Sequence, residues 1–553
     1  MLPRSWNDSL LIQLYKGSGS RNQLKNHRFI HTKDEFPKFF GNLVMAAAKD
    51  TLVTNMSKFQ IGAKPGHRSQ EHLFVLKSVV SLYSTFDKAL ILSTWDISKY
   101  FDAENLSDVM NEIYKNEVRG KLYRLLYMMN QNTRIRVQTP VGITDAADTG
   151  EGLGQGTVEG ALASSINLDN GVQDFFARND GTVNDDEIYY LGLRLGPLLF
   201  QDDVARLTLD PAIAQRGNDR MESVAETKLL NFNLEKSCFT IFGRKQRRQE
   251  MEKELEVKPL LLGGENMTKE RCIKYLGDIL NEEGLAASIE STIAARKGII
   301  SRSIYDIRSI VDDCRSNVTG GLKSGLEMWE LSVIPVLLNN AETWQDIRRK
   351  SLDDLEKLQI TFLRCLLGVG TSCPIPLLLS ETGSLLMEFR VMKKKLMFLH
   401  HLVNLSESSL PKEVLTLQID NNLPGIFQEC KGFLRKFHIG DLSLYSKNQF
   451  KRIINQNIKE LNKQKLIDQV KSKKYKKINL TSFENENFEV KDYIANLNVT
   501  DARLKFKIIS HMVPTIKMNF QSEIAYAKNL WVCDDCLNEK GVGLLDSQSH
   551  ILI

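Results

Sequence analysis

Pro197-Leu198-Leu199-Phe200-Gln201-Asp202-Asp203-Val204-Ala205-Arg206-Leu207-Thr208-Leu209 holds two β-prone runs separated by Gln201-Asp202-Asp203, a pattern that predicts a tight hairpin. Asp is common in turns, so an Asp-Asp tip alone asks for no chemical explanation. Adjacent aspartates between apolar strands nevertheless repel each other unless a cation lies between them and a partner. A partner stands upstream. Ala89-Leu90-Ile91-Leu92-Ser93-Thr94-Trp95 is short and mostly apolar and reads as a buried strand, which Asp96 ends. By itself Asp96 would read as a helix N-cap. A strand end and a hairpin tip on one sheet can instead present carboxylates to a pair of Mg²⁺ ions about 3.5–4 Å apart. Hard cations take carboxylate oxygens and keep several waters, so neither His nor Cys is needed.

Around this stretch the pattern is mixed. The first third alternates short β-like runs with helical segments, which predicts an α/β or α+β arrangement. Leu106 to Asn130 has helical spacing for one or two helices, and Arg134 to Gln138 alternates as a strand. Beyond Gly284 strand signals fade, and Ile289 to about Val403 reads as helical, which sets a boundary near Leu285. Lys447 to Lys477 carries eleven Lys or Arg against Glu460 and Asp468, with Ile453, Ile454, Ile458, Leu461 and Leu466 spaced for an amphipathic helix.

With 553 residues, 42% hydrophobic and 25% charged, the chain has room for three or four folded domains and is neither disordered nor fibrous. A net charge of only +5 means that any basic surface must come from clustering. Arg244-Lys245-Gln246-Arg247-Arg248, Lys393-Lys394-Lys395 and the tract from Lys447 are the candidates for nucleic-acid contact. Six of the eight cysteines show no metal-like spacing and read as reduced core thiols. The N-terminus lacks an apolar h-region and no run approaches the roughly 18 apolar residues of a membrane span. The expected compartment is the nucleus or cytoplasm, with no membrane partner.

The order of the motifs resembles a known family. Asp96 with Phe101-Asp102, Gly152-Leu153-Gly154-Gln155-Gly156 and Phe200-Gln201-Asp202-Asp203 resemble motifs A, B and C of a reverse-transcriptase palm. Asn233-Leu234-Glu235-Lys236-Ser237 is similar to motif D, and Tyr275-Leu276-Gly277-Asp278-Ile279-Leu280 to the primer-grip motif E. Pro3, Trp6, Leu14-Tyr15-Lys16, Asn26-His27-Arg28 and the run from Gln60 to Ser69 resemble the fingers of non-LTR (LINE-type) retrotransposon enzymes. Val333-Ile334-Pro335 and Ala341-Glu342-Thr343-Trp344 resemble their early thumb. Each element is weak alone; together, in order from Pro3 to Trp344, they are specific.

The resemblance implies an α+β right-hand polymerase that copies RNA into DNA by target-primed reverse transcription. Fingers and palm are expected over 1–285, a helical thumb over 286–420, a basic helical connector over 421–525 and a truncated Cys/His segment over 526–553. Asp96, Asp202, Asp203 and the backbone at Ile97 would hold two Mg²⁺ ions, and Lys236 would protonate the departing pyrophosphate. Phe101 would act as a steric gate against a ribose 2′-OH. Gly154, Gln155, Gly156 and Gln201 would lie beside nucleotide, template and primer end, while Arg28, Lys64 and Arg68 would touch triphosphate or template. Partners would be an RNA template, a DNA primer and dNTPs. Cys533, Cys536 and His550 resemble the family's zinc motif, but zinc takes four ligands and only three are visible, so that site reads as incomplete. The chain starts inside the fingers pattern and stops inside the zinc motif, so a fragment is expected, with the endonuclease elsewhere in the element. Two departures stand out: Gln201 replaces the usual Ala, and Gly156-Thr157-Val158-Glu159-Gly160 follows the motif B glutamine. The alternatives are an inactive RNA-binding remnant and a group II intron maturase-like protein.

Overall fold

The computed structural model describes residues 2–17, 19–149, 153–154, 156–157, 160–176, 187–313, 319–472, 478, 483–484, 487–510 and 512. The chain forms two compact units, Met1–Ser288 with Leu402–Gln428, and Ile289–His401 with Glu429–Ile553.

The first unit is α+β. Its helix α1 (Ser69–Thr85) is buried almost all round, with Leu73, Phe74, Val75, Leu76, Val79 and Val80 in the core. Its central sheet contains β1 (Leu90–Trp95), β2 (Leu198–Phe200), β3 (Asp203–Thr208), β4 (Cys238–Phe242) and β5 (Thr268–Lys269), in the order β5-β4-β1-β3-β2. Pairing is antiparallel except between β4 and β5. The register sets Trp95 against Val204 and Ile91 against Ile241. Period-two alternation therefore sends Ile91, Trp95, Val204, Phe239 and Ile241 into one core. The expected strand at residues 90–95 and the expected hairpin are both present. The turn itself is shorter than the sequence suggests, because Asp203 already pairs with Phe200 and leaves Gln201-Asp202 as a two-residue loop.

Helix α2 (Gly160–Phe176) joins two cores. Leu168, Val172 and Phe176 pack with the sheet, whereas Leu162, Ala163 and Ile166 pack with the helices Glu35–Asn55, Leu106–Lys115 and Gly120–Asn130. The 106–130 stretch is thus two helices. Polar groups on α2 are buried and paired: Asp169 accepts from the backbone N–H of Ser57 at 2.7 Å and from its hydroxyl at 2.6 Å. Asn170 donates to Glu112 at 2.8 Å, and Lys228, at the end of α3 (Pro211–Lys228), reaches the same carboxylate at 2.7 Å. A second sheet sets Asp8–Tyr15 between His27–Thr32 and Arg134–Thr139.

Residues 402–428 belong with this unit because helix Leu410–Asp420 packs on α1. Gln418 donates to the Ser78 hydroxyl at 2.8 Å and Lys58 pairs with Glu413 at 2.6 Å. The second unit is helical. Trp329 stacks on Phe362 with ring centroids 4.2 Å apart, and Lys447–Lys471 is one helix that buries Phe450, Ile454, Ile458, Leu466 and Val470. Among the described residues no helix is long and apolar enough to cross a membrane.

One buried ion pair ties α1 to the hairpin that follows β5. Lys77 Nζ lies 2.6 Å from Asp278 Oδ2, and both side chains are 3% exposed. Removing one partner of such a pair strands the other charge out of water. We expect Asp278→Ala to lower the urea unfolding free energy by about 3–5 kcal/mol. Lys77→Met combined with Asp278→Leu should recover most of that loss.

Candidate active site

The last antiparallel pair of β1 and β3 is Trp95 with Val204. One residue further along each strand stand Asp96 and Asp203, so both carboxylates leave the sheet at the same end. Asp202, in the adjoining turn, joins them. Burial raises the Asp203 carboxyl to about 6, and the nearby Asp202 and Asp96 push in the same direction. Asp202 is raised by burial and by Asp96, and opposed by Arg28 and Lys236. The charge of Asp96 acts on both Asp202 and Asp203, so the strand-end aspartate and the turn pair lie near one another.

The loop before β4 holds Asp96 in place. Asn233 N–H donates to the Asp96 carbonyl at 2.8 Å, and Asp96 N–H donates to the Ser237 hydroxyl at 3.0 Å. A single β-bridge joins Ile97 to Phe232. Lys236 on this loop places Nζ 3.4 Å from Asp96 Oδ2, with the lysine side chain 65% exposed. Arg28, exposed on its own strand, is near enough to favour the charged form of Asp202.

Phe101 is half-buried, one residue after the buried Tyr100, and its carbonyl accepts from Leu153 N–H at 3.0 Å. That bond brings Leu153-Gly154 against the segment following β1. A side-chain carbon at Gly154 would lie 2.5 Å from the His31 ring, so the chain passes close to the strand that carries Arg28. Gly156 has φ +101° beside Ile30. Gln155 lies outside the described residues, as do Cys533, Cys536 and His550. Lys64 is turned elsewhere: its ammonium is 3.4 Å from the Ser57 carbonyl, close to Asp169 and Glu71, and burial lowers its pKa. Arg68 caps α1, its backbone N–H donating to Glu71 Oε1 at 3.2 Å.

Two residues at the site carried no chemical signal in the sequence. Gln60 is fully buried and reaches the hairpin turn, with Nε2 3.2 Å from the Gln201 carbonyl. Glu104 is fully buried below Tyr100 and accepts from Asn167 Nδ2 at 3.0 Å and from the Ser164 hydroxyl. Burial raises its carboxyl to about 7 against these hydrogen bonds. Both are buried with their partners far away in the sequence, and local pattern cannot separate such a structural amide or acid from an exposed one.

As a metal site the arrangement is open. Its donors are hard carboxylate oxygens at the end of a rigid sheet, the chemistry that Mg²⁺ prefers. Among the described residues, no three His, Cys, Asp or Glu side chains are drawn tightly enough together to hold an ion. Lys236 is the local counter-charge of Asp96.

The basic runs are partly spent inside the fold. Arg244 and Arg247 face Asp87, and Arg248 lies 3.7 Å from Glu282. In the second unit Lys394 pairs with Glu342 at 2.7 Å and the buried Lys395 with Glu429 at 2.5 Å. On the helix Lys447–Lys471, Lys459, Lys465 and Lys471 each face a glutamate. Lys447, Lys451 and Arg452 stay exposed. Burial lowers the pKa of the half-buried Lys393, as do Arg390, Lys451 and Lys459, with Glu330 opposing them.

No family model matches the chain, and no curated protein matches it. Among solved structures it is similar to telomerase from Candida albicans in complex with a TWJ fragment of telomeric RNA, at 12% identity over 75% of this chain and 66% of that one, with a TM-score of 0.37. Apo telomerase from Candida tropicalis truncated from the C-terminal domain matches at 10% identity over 51% and 54%, with a TM-score of 0.34. An insertion-loop deletion mutant of the RNA-dependent RNA polymerase of a human picorbirnavirus matches at 12% over 66% and 58%, also at 0.34. The chain spans between 54% and 66% of the length of these three.

Glu104 offers a pH test of the layer beneath the aspartates. In the fold it keeps its proton to about pH 7, while in the unfolded chain it loses it near pH 4.3. Its contribution to stability is therefore complete below about pH 4.3 and is lost as pH rises to about 7. We expect Glu104→Gln to unfold like the parent at pH 4 and to be more stable at pH 8 by roughly 2–4 kcal/mol, measured by urea titration at both values.

Proposed function

We propose that this chain is an RNA-directed DNA polymerase, adding deoxynucleotides to a DNA 3′-OH on an RNA template in the target-primed manner of a non-LTR retrotransposon. One observation carries the chemistry: Asp96, Asp202 and Asp203 stand at one end of one sheet, where burial and then the charge of Asp96 raise the carboxyls of Asp202 and Asp203. The motif order from Pro3 to Trp344 supports the narrower assignment to the non-LTR family. Two Mg²⁺ ions, held by these carboxylates and the Ile97 backbone, would supply an activated 3′-OH and charge neutralisation at the triphosphate.

The chain's own groups do the rest. Lys236 pairs with Asp96 at 3.4 Å, and once that carboxylate has taken up a cation the ammonium is free to protonate pyrophosphate. Arg28 approaches the same cluster from its exposed strand and suits a triphosphate oxygen. Phe101 projects from the segment that follows Asp96, where a ring would meet the sugar 2′ position. Gln201 would face the primer end. Lys64 and Arg68, held on Ser57 and at the α1 cap, would influence the nucleotide by shaping the loop they share. RNA template and DNA primer, both polyanions, would meet the cations that internal pairing leaves over, such as Lys451 and Arg452.

Primer extension on an RNA template with Mg²⁺ tests the reading. Asp202→Asn should reduce incorporation by about a hundredfold or more, and equal incorporation by both proteins removes the metal-site assignment. Phe101→Ala should raise ribonucleotide over deoxynucleotide use by roughly tenfold or more, read from competition between the two triphosphates. An unchanged ratio removes the gate.

A further inference from the structure

The hairpin turn that carries Asp202 is built from the wrong residue. In a two-residue loop whose first position has positive φ, glycine is the natural occupant. Here that position is Gln201, at φ +57°. A left-handed non-glycine residue persists when its surroundings over-determine it, and one side chain supplies that constraint. Gln60 Oε1 accepts from Gln201 N–H at 3.1 Å, and Gln60 Nε2 donates to the Gln201 carbonyl at 3.2 Å. A single carboxamide thus takes both backbone polar groups of the strained residue.

The amide is itself held. Its oxygen also accepts from Gly62 N–H at 2.8 Å, and its nitrogen lies 3.4 Å from the Ser165 carbonyl on α2. Gln60 is fully buried, so no water replaces a lost partner, and an unmade bond there carries its full desolvation cost. The backbone on either side is bonded along β2: Leu199 N–H donates to the Phe59 carbonyl at 2.9 Å and Ile61 N–H to the Leu199 carbonyl at 3.1 Å. Two residues after Gln60 the chain comes so close that a side-chain carbon on Gly62 would fall 2.1 Å from the Gln201 nitrogen. Only glycine fits. At the other end of the segment, Ser57 is bonded to the buried Asp169 of α2.

We infer that Gln60 is the positioning residue of the carboxylate turn: it holds Gln201 left-handed and so determines where Asp202 and Asp203 stand relative to Asp96. The kinetic consequence rests on the polymerase reading above, whereas the structural consequence does not. A shift of about 1 Å at a reacting centre costs on the order of a hundredfold in rate, so loss of the grip should act on turnover and on metal demand. It should leave template–primer affinity alone, because Gln60 is buried.

Gln60→Met keeps the length of the side chain and removes its hydrogen bonds. In the full chain, hydrogen–deuterium exchange of peptides spanning 198–208 should become at least several-fold faster, with peptides from the second unit unchanged. In primer extension, kcat should fall by about ten- to a hundredfold and the Mg²⁺ concentration for half-maximal rate should rise several-fold. KM for template–primer should stay within twofold. Unchanged exchange at 198–208 overturns the inference, as does a kcat loss without any shift in Mg²⁺ demand. Should Gln60→Met unfold the chain, Gln60→Glu, which keeps the acceptor and loses the donor to Gln201, is measured in the same way and must show the same exchange pattern. A parent chain that extends no primer overturns the polymerase reading, and the exchange measurement then decides the grip by itself.

Discussion

Like charges brought near one another at one end of the central sheet are the constraint around which the first unit is organised. Asp96 and Asp203 are carried there by the antiparallel register of β1 and β3, and Asp202 by the turn. Burial raises the carboxyls of Asp202 and Asp203, and the charge of Asp96 adds to it. A fold that needed only stability would place neutral side chains at 202 and 203, since burial disfavours the charge there and the neighbouring carboxylate disfavours it further. The compensation is local. The loop before β4 brings Lys236 to Asp96, and a strand from the second sheet brings Arg28 towards Asp202.

Rigidity beneath the cluster comes from buried polar groups, not from apolar packing alone. Helix α2 packs into two cores, and its polar residues are each given a partner: Ser57 for Asp169, Glu112 for Asn170, Glu104 for Ser164 and Asn167. Directed bonds of this kind select one arrangement where greasy contacts would tolerate several. Tyr100 lies buried between this layer and the carboxylate turn, its hydroxyl donating to the Ser164 carbonyl at 2.6 Å while Glu104 and Asp202 both bear on it. The same helix supports Gln60, so the turn and the layer below it are mechanically one piece.

The basic runs teach a different lesson. In the sequence Lys393, Lys394 and Lys395 are equivalent. In the fold Lys394 and Lys395 are committed to Glu342 and Glu429, and Lys393 is left among like charges. Helical spacing distributes neighbours around the axis, so three consecutive lysines meet three environments. A count of cations therefore overstates the surface available to a polyanion.

Local pattern was enough to determine much of this protein. Alternation and apolar runs gave strand 90–95, the hairpin around Asp202, the helical character of 106–130 and that beyond Leu285, because these depend on residues a few positions apart. The aspartates stood out as candidates for the same reason, since each ends or interrupts a strand, and the order of the surrounding motifs singled them out. Tertiary structure alone decided that Asp96 and Asp203, more than a hundred residues apart in the chain, stand one step beyond the same strand pair. It also decided that Lys64 turns to Ser57, that Gln60 grips the turn, and that residues 402–428 return to the first unit. Those outcomes depend on which buried donor meets which acceptor across the fold, and hydrogen-bond partners chosen at long range leave no periodicity in the sequence to read.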